Sequence, residues 1–116
     1  MGKIEYRNLT ELLIKVIRPK PGMYLGRNHI SNLPNFILGY EFCNRISQDK
    51  QDFYFGDKGF LNWYANKYKP AQMSHWHSYF LSEVNNDEVK ALELYFNRLE
   101  EYYIWYNSFS NSNQMQ

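Results

Sequence analysis

Three histidines and a single cysteine are the side chains of this sequence that could hold a metal ion or act as a strong nucleophile. His75 and His77 lie two residues apart, and side chains at that spacing on a helix point in different directions. No further histidine or cysteine stands at a ligand-like spacing from them, and His29 lies alone in a predicted loop. Cys43 lies in an apolar stripe, where we expect it to be buried as a small hydrophobic side chain. The sequence therefore predicts no metal site, no cofactor and no cysteine nucleophile.

Paired carboxylates, which could serve general acid–base catalysis, occur at Asp87-Glu88 and Glu100-Glu101. The first pair stands where a helix is expected to begin, and the positive end of the helix dipole stabilises negative charge there. The second pair is expected to be solvated on a helix surface. Serine, histidine and acidic residues form no recognisable catalytic triad either, so we expect that the protein is not an enzyme.

The length and composition of the chain indicate one small domain with a core built from aromatic rings. A chain of 116 residues can bury a single core, and we place the domain at residues 1–107 with a polar, frayed tail at residues 108–116. Aromatic residues make up 19% of the chain, and eleven of them are tyrosines. Because a buried tyrosine needs a partner for its hydroxyl group, many rings are expected at the boundary between core and surface.

Charge is distributed unevenly along the chain although the net charge is only +1. Residues 1–50 carry eight basic and four acidic side chains, whereas residues 51–116 carry five basic and eight acidic ones. So small a net charge gives no general electrostatic case for binding nucleic acid. The sequence contains no recognisable signal peptide and no run of membrane-spanning length, so we expect a cytoplasmic protein with no membrane contact.

Apolar periodicity predicts an all-α fold, a single-domain bundle of about five helices. The first helix begins at Asn8, whose side chain can cap it, and ends at Pro19. A loop rich in proline and glycine, residues 18–26, follows, and its Met, Tyr and Leu side chains are expected to pack inward. Ser31 is expected to cap the second helix, and Gly39 within that helix is best explained by close approach of the loop backbone. The inward stripe of the second helix is Leu33, Phe36, Ile37, Tyr40 and Cys43.

Three further helices are predicted in the second half of the chain. Asp57 and Ser74 can cap the third and the fourth, and Asn86 or Asp87 opens the fifth and longest. The inward seam of the fifth helix is Val89, Leu92, Phe96, Leu99, Tyr103 and Tyr106. Other apolar residues lie outside this seam, so the second half of the helix either runs through the bundle or offers an apolar flank to a partner. The sequence leaves open whether Leu94, Ile104 and Trp105 belong to the core or to an interface.

The loop from Arg18 to Gly26 is similar to a loop of type II topoisomerase ATPase subunits that reads Arg-Pro-Gly-Met-Tyr-Ile-Gly. In that family the next helix carries Glu-x-x-Asp-Asn, which activates water and holds magnesium. Glu41 matches the glutamate, but Asn44 and Arg45 stand in place of the aspartate and the asparagine. A glycine-rich nucleotide lid is missing as well, so we expect no ATP binding.

A second resemblance covers most of residues 9–103. It rests on the same loop, on a tryptophan-containing helix, on an acidic amphipathic last helix and on a series of apolar positions. These positions are Leu33, Phe36, Ile37, Gly39, Tyr40, Phe60, Leu61 and Trp63. In this order the chain resembles small all-helical bacterial immunity proteins, the partners of polymorphic and contact-dependent growth inhibition toxins. The resemblance implies stoichiometric binding and occlusion of a cognate toxin, often a basic nuclease, without turnover.

Partner-binding residues are predicted on the last two helices. Between residues 83 and 101, six acidic side chains outnumber Lys90 and Arg98, which leaves a net charge of −4. An acidic surface would steer a basic toxin toward the site, and rings beside it would anchor the complex. The predicted set is Glu83, Asp87, Glu88, Glu93, Tyr95, Glu100, Glu101, Tyr102 and Trp105. A solvated helix face that binds nothing is the alternative interpretation of the same charges.

A nucleic-acid-binding or adaptor protein is the competing functional class. It would use the basic residues of the N-terminal half, which are Lys3, Arg7, Lys15, Arg18, Lys20 and Arg27. These charges are scattered and are not interleaved with stacking rings, as a single-strand binder would need. We therefore expect a protein partner and no direct contact with nucleic acid, and the oligomeric state stays open.

Overall fold

The protein folds as a set of packed helices. The structure is a computed structural model that describes residues 5–47, 59–70 and 75–114. Its helices are α1 (Leu9–Glu11), α2 (Pro21–Leu25), α3 (Leu33–Ser47), α4 (Phe60–Tyr68), α5 (Trp76–Glu83) and α6 (Glu88–Gln114). A π-helical segment (Leu12–Ile17) continues α1, and a 3-10 turn (Ile30–Asn32) leads into α3. No strand occurs within these three ranges, and the predicted all-α fold is confirmed. None of the helices in them combines the length and the apolar character that a membrane span requires.

Side-chain caps fix where the first and the last helix begin. The Asn8 side chain accepts a hydrogen bond from the Glu11 N–H group at 3.0 Å, as predicted. The Asp87 side chain accepts from two N–H groups in the first turn of α6, at 3.1 and 3.0 Å, so Asp87 rather than Asn86 caps this helix. Both caps supply acceptors for N–H groups that have no partner within their own helix.

The predicted cap at Ser31 is wrong. Ser31 lies inside the 3-10 turn, and its hydroxyl group donates to Glu88 of α6 at 2.7 Å. The turn therefore ties the start of α3 to the start of α6. The caps predicted at Asp57 and Ser74, and Lys3 of the basic set, lie outside the described residues.

α6 is the central helix of the described fold, in contact with α1, the π-helical segment, the 3-10 turn, α4 and α5. Its buried residues are Ala91, Leu92, Tyr95, Phe96, Leu99 and Tyr102. Phe60 of α4 packs edge-on against Tyr95 and Tyr102, with ring centroids 5.3 and 5.9 Å apart. Phe80 of α5 packs edge-on against Tyr95 at 5.6 Å. Rings therefore fill the part of the core between α4, α5 and α6, but aliphatic side chains outnumber rings among the buried hydrophobic residues that the structure describes, which corrects the prediction of a core built largely from rings. α6 continues to Gln114, past the domain end predicted at residue 107.

The Pro/Gly-rich segment packs less fully than predicted. Residues 21–25 of this segment form the short helix α2. Leu25 is buried as expected, but Met23 is 71% exposed and Tyr24 is 40% exposed. A single side chain of the segment therefore anchors α2 in the core, while its two neighbours face solvent.

Two predictions about α3 are wrong. A Cβ atom added at Gly39 would meet no atom of the described residues within 4 Å, so none of their backbone approaches this glycine. Cys43 is exposed rather than buried, and so are Leu38 and Phe42 on the same helix. The inward stripe is confirmed for Leu33 and Ile37, which are buried, and for Phe36 and Tyr40, which pack against the core, but it is wrong for Cys43.

Candidate partner-binding surface

Two of the predicted acidic residues serve the fold at the start of α6. Glu88 accepts hydrogen bonds from the N–H and hydroxyl groups of Ser31 at 3.0 and 2.7 Å. These bonds, together with the charges of His29 and His77, hold the pKa of Glu88 below its usual range. Asp87 is occupied as the cap of α6. Both side chains are therefore held in place before any partner arrives.

Glu100 is paired with the Pro/Gly-rich segment. Arg18, which lies 82 residues earlier in the chain, donates to Glu100 at 2.8 Å and to the Asn97 side chain at 2.7 Å. This pair joins the end of the π-helical segment to the middle of α6. Glu100 therefore contributes less to the charge of the surface than predicted, because the guanidinium group beside it neutralises the carboxylate.

Glu101 belongs to a polar network between α4 and α6. It accepts hydrogen bonds from Arg98 at 3.1 Å, from Lys67 at 3.4 Å and from the hydroxyl group of Tyr68. Burial disfavours its charged form, but these contacts outweigh burial and lower the pKa of Glu101. The Arg98 guanidinium group also lies 4.5 Å from the centre of the Tyr68 ring, a cation–π contact. Glu101 is thus committed to the packing of α4 against α6.

Glu83 and Glu93 are exposed and have no ion-pair or hydrogen-bond partner among the described residues. Glu83 is the last residue of α5, and Glu93 lies in the second turn of α6. We call residues 83–93 the acidic end, because four carboxylates there outnumber one ammonium group, that of Lys90. A basic partner would meet this negative charge first.

A cleft of about 300 Å³ opens beside Glu93, between the Pro/Gly-rich segment and α6. We call it the α2–α6 cleft, and its lining residues are Arg18, Pro21, Asn28, Val89, Leu92, Glu93, Phe96 and Asn97. Val89, predicted to lie in the inward seam of α6, is exposed here. Met23 and Tyr24 are exposed on the same short helix as Pro21. Negative charge is thus combined with accessible apolar groups, as protein interfaces require.

The prediction that Tyr95 and Tyr102 lie at the surface is wrong. Their side chains are 1% and 4% exposed, because α6 has neighbours on more than one side and its buried stripe is correspondingly wide. Burial raises the pKa of Tyr102 to about 12. Neither ring can anchor a partner from inside the core.

The structure settles where Leu94, Ile104 and Trp105 lie, which the sequence leaves open. Trp105 is 48% exposed and Ile104 is 58% exposed, whereas Leu94 packs against the core. Trp105 also lines a shallow groove of about 580 Å³ between α4 and α6, together with Trp63 and Tyr106. Twelve residues separate Trp105 from Glu93, a distance of about 18 Å along a helix. The predicted residues therefore fall on two separate surfaces rather than one.

The basic side chains of the N-terminal half are partly paired within the fold. Arg7 donates to Glu11 through both its backbone N–H group and its side chain, and Lys15 pairs with the same carboxylate at 3.4 Å. The Tyr103 hydroxyl group of α6 donates to Glu11 at 3.1 Å. The side-chain hydrogen bonds from Arg7 outweigh burial and lower the pKa of Glu11 to about 2. Arg18 pairs with Glu100 of α6, whereas Lys20 and Arg27 are exposed and form no ion pair among the described residues. Part of the predicted basic surface therefore stays accessible.

Within the described ranges, no group of three or more histidine, cysteine, aspartate or glutamate side chains is arranged to hold a metal ion. Comparison of the chain with protein-family models, curated proteins and solved structures gives no match. The function is therefore inferred from the chemistry of the surface.

Sequence reasoning singled out Arg18 and Glu93 but did not bring them to one site. Asn28 and Asn97 of the α2–α6 cleft were not singled out, and Val89 was placed in the core. No pattern in the sequence marks a contact between residues about 80 positions apart, whereas the exposure of Val89 follows from its place in the first turn of α6, before the helix enters the core.

Proposed function

We propose that this protein is an immunity protein that binds a cognate bacterial toxin in the cytoplasm and neutralises it by occlusion, without catalysis. The observation that carries the proposal is the acidic end, where Glu83 and Glu93 have no partner among the described residues. A basic nuclease is the toxin class that suits this charge, because nucleases need positive charge to bind the phosphate backbone. The loop and the helix order that resemble immunity proteins support the same interpretation.

Occlusion requires a surface that captures the toxin quickly and then excludes water from its basic site. Negative charge at the acidic end would accelerate encounter with a basic protein. Exposed apolar side chains at Met23, Tyr24 and Val89 would lose contact with water in the complex and hold it together. Carboxylates of the immunity protein would thereby occupy the place of the phosphates that the toxin otherwise binds.

The groups with displaced pKa values support a binding role over a catalytic one. Burial raises the pKa of Tyr79 and Tyr102 and keeps both phenols protonated, and Arg7 lowers the pKa of Glu11. These groups lie in the core or in ion pairs that hold helices together, outside the α2–α6 cleft. A catalytic acid or base would need a pKa displaced toward neutrality within a cleft.

Co-expression with the toxin-like protein encoded beside this one tests the proposal. We expect the chain to restore growth of cells that express the toxin, and to purify with it in stoichiometric amounts. An unrelated toxin is the control, and it should remain lethal. Continued growth arrest by the cognate toxin, with no complex formed, would contradict the proposal.

A further inference from the structure

One carboxylate, that of Glu93, and one guanidinium group, that of Arg18, line the α2–α6 cleft. Glu93 lines it and has no partner among the described residues. The guanidinium group of Arg18 also lines it, but its charge is matched by Glu100 at 2.8 Å. Because Arg18 is matched by Glu100, which lies outside the lining, Glu93 keeps a negative charge that an occupant could neutralise.

Apolar groups form much of the remaining lining, and the shape of the cleft is fixed in advance. The apolar lining residues are Pro21, Val89, Leu92 and Phe96. Asn28 packs closely over Gly22, where an added Cβ atom would lie 2.8 Å from the Asn28 Oδ1 atom. Arg18 is held by two hydrogen bonds to α6. The cleft therefore needs little rearrangement to accept an occupant.

These features match the chemistry of one side chain. Arginine has an aliphatic stem that suits apolar walls, and a planar head that donates two parallel hydrogen bonds to a carboxylate. The guanidinium group is also more weakly hydrated than the ammonium group of lysine, so a half-enclosed cleft desolvates it at a lower cost. A volume of about 300 Å³ is at the small end of ligand pockets and suits a single side chain. We infer that the α2–α6 cleft is a socket for one arginine side chain of the partner; that this partner is a toxin rests on the proposed function.

Titration of isotope-labelled protein with N-acetyl-arginine amide, followed by NMR, tests the inference. We expect the backbone signals of the cleft residues to move. N-acetyl-citrulline amide has nearly the same shape but no charge, and it should move them far less. Glu93→Gln should weaken binding of the arginine compound about tenfold, since it removes a charge-assisted pair of hydrogen bonds. Glu83→Gln removes the other unpartnered carboxylate, which does not line the cleft, and should leave the binding unchanged.

The Arg18→Gln variant distinguishes a cleft that binds a cation from a cleft that binds an anion. Removal of this guanidinium group takes positive charge away from the lining, so binding of the arginine compound should be kept or strengthened. A site for a carboxylate would instead lose its main attraction. Circular dichroism of each variant confirms that the helical content is retained.

Equal signal changes with the two compounds, no change with either, or full binding by the Glu93→Gln variant would overturn the inference. Loss of binding in a folded Arg18→Gln variant would overturn it as well. None of these results bears on the proposed function if the protein still protects cells from the toxin. Selective binding of the arginine compound, without protection, would overturn the proposed function and leave the socket standing.

Discussion

Glu11 joins three parts of the chain through one buried carboxylate. Arg7 lies before α1, Lys15 lies in the π-helical segment and Tyr103 lies on α6, and all three donate to the Glu11 side chain. The side chain of Glu11 is only 2% exposed, so its negative charge depends on these donors. The spacing of Asn8 and Glu11 predicts the first turn of the helix, but nothing in the sequence indicates that Tyr103 reaches Glu11 from 92 residues away.

Stability should fall in acid as Glu11 takes up a proton. The pKa of Glu11 is about 2 in the folded protein against an ordinary value of 4.5, so its contribution to stability is fully present above pH 4.5. Between pH 4.5 and pH 2 that contribution is progressively lost, because the unfolded chain binds the proton more readily. Urea unfolding at a series of pH values measures the decline. A free energy of unfolding that stays constant across this range would contradict the role of Glu11.

Glu11→Gln should remove the same contribution at neutral pH. We expect the free energy of unfolding to fall by about 2 kcal/mol, because Arg7 and Tyr103 lose their charged acceptor. The loss is no larger because Arg7 is largely exposed and solvent screens part of its attraction to Glu11. The variant should also lose less stability than the parent between pH 4.5 and pH 2. Glu5→Gln, at an exposed position just before α1, is the matched control and should change neither quantity.

At the scale of the helices, Gly39 within α3 and Gly59 directly before α4 have opposite surroundings. Gly39 lies within α3 with open space around it, whereas a Cβ atom at Gly59 would lie 2.6 Å from the hydroxyl oxygen of Tyr102. The Tyr102 ring is buried against Phe60 and Trp63, so a shift of the ring would disturb this packing. The sequence predicts a close contact at the first of these glycines, and the structure places it at the second.

Gly39→Ala should stabilise the protein, because alanine favours a helix over glycine by about 1 kcal/mol and meets no clash here. Gly59→Ala should destabilise it by about 1 to 3 kcal/mol through overpacking against Tyr102. Thermal and urea unfolding of both variants measure whether each substitution raises or lowers the free energy of unfolding. A loss of stability in Gly39→Ala would show that a neighbour covers this face of α3.

The buried stripe of α6 is wider than the predicted seam, which explains why some of its buried residues were predicted and others were not. Spacings of three and four residues indicate one seam, and Leu92, Phe96 and Leu99 in that seam are buried. α6 has α4 and α5 as neighbours as well as the 3-10 turn and the first helical segments, so Tyr95 and Tyr102 beside the seam are buried too. A periodic pattern predicts which face of a helix is apolar, but it does not predict how many other elements pack against the helix.

Over the whole molecule, internal pairing determines where charge remains. Arg7 and Lys15 share Glu11, Arg18 pairs with Glu100, and Glu101 is neutralised between α4 and α6. Composition along the chain predicts a basic half and an acidic half. It does not predict which charges cancel, because that depends on contacts such as the one between Arg18 and Glu100.

Association with a basic toxin should therefore depend on salt through the acidic end. We expect the association rate constant to fall about tenfold or more as sodium chloride rises from about 0.05 to about 0.5 M. Changing Glu83 and Glu93 together to lysine should slow association at low salt and flatten this dependence. Stopped-flow measurements at several salt concentrations provide the comparison, and a rate independent of salt in the parent protein would exclude electrostatic steering.

The affinity of the purified toxin for the parent protein, Glu93→Lys and Glu5→Lys tests the central claim most directly. Both variants change one exposed carboxylate to an ammonium group, but only Glu93 lies at the acidic end. Calorimetry should show a stoichiometric complex with the parent, binding weakened at least about tenfold in Glu93→Lys, and nearly unchanged binding in Glu5→Lys. No complex with the parent protein, or equal affinity in all three, would contradict the account of the acidic end as the toxin-binding surface.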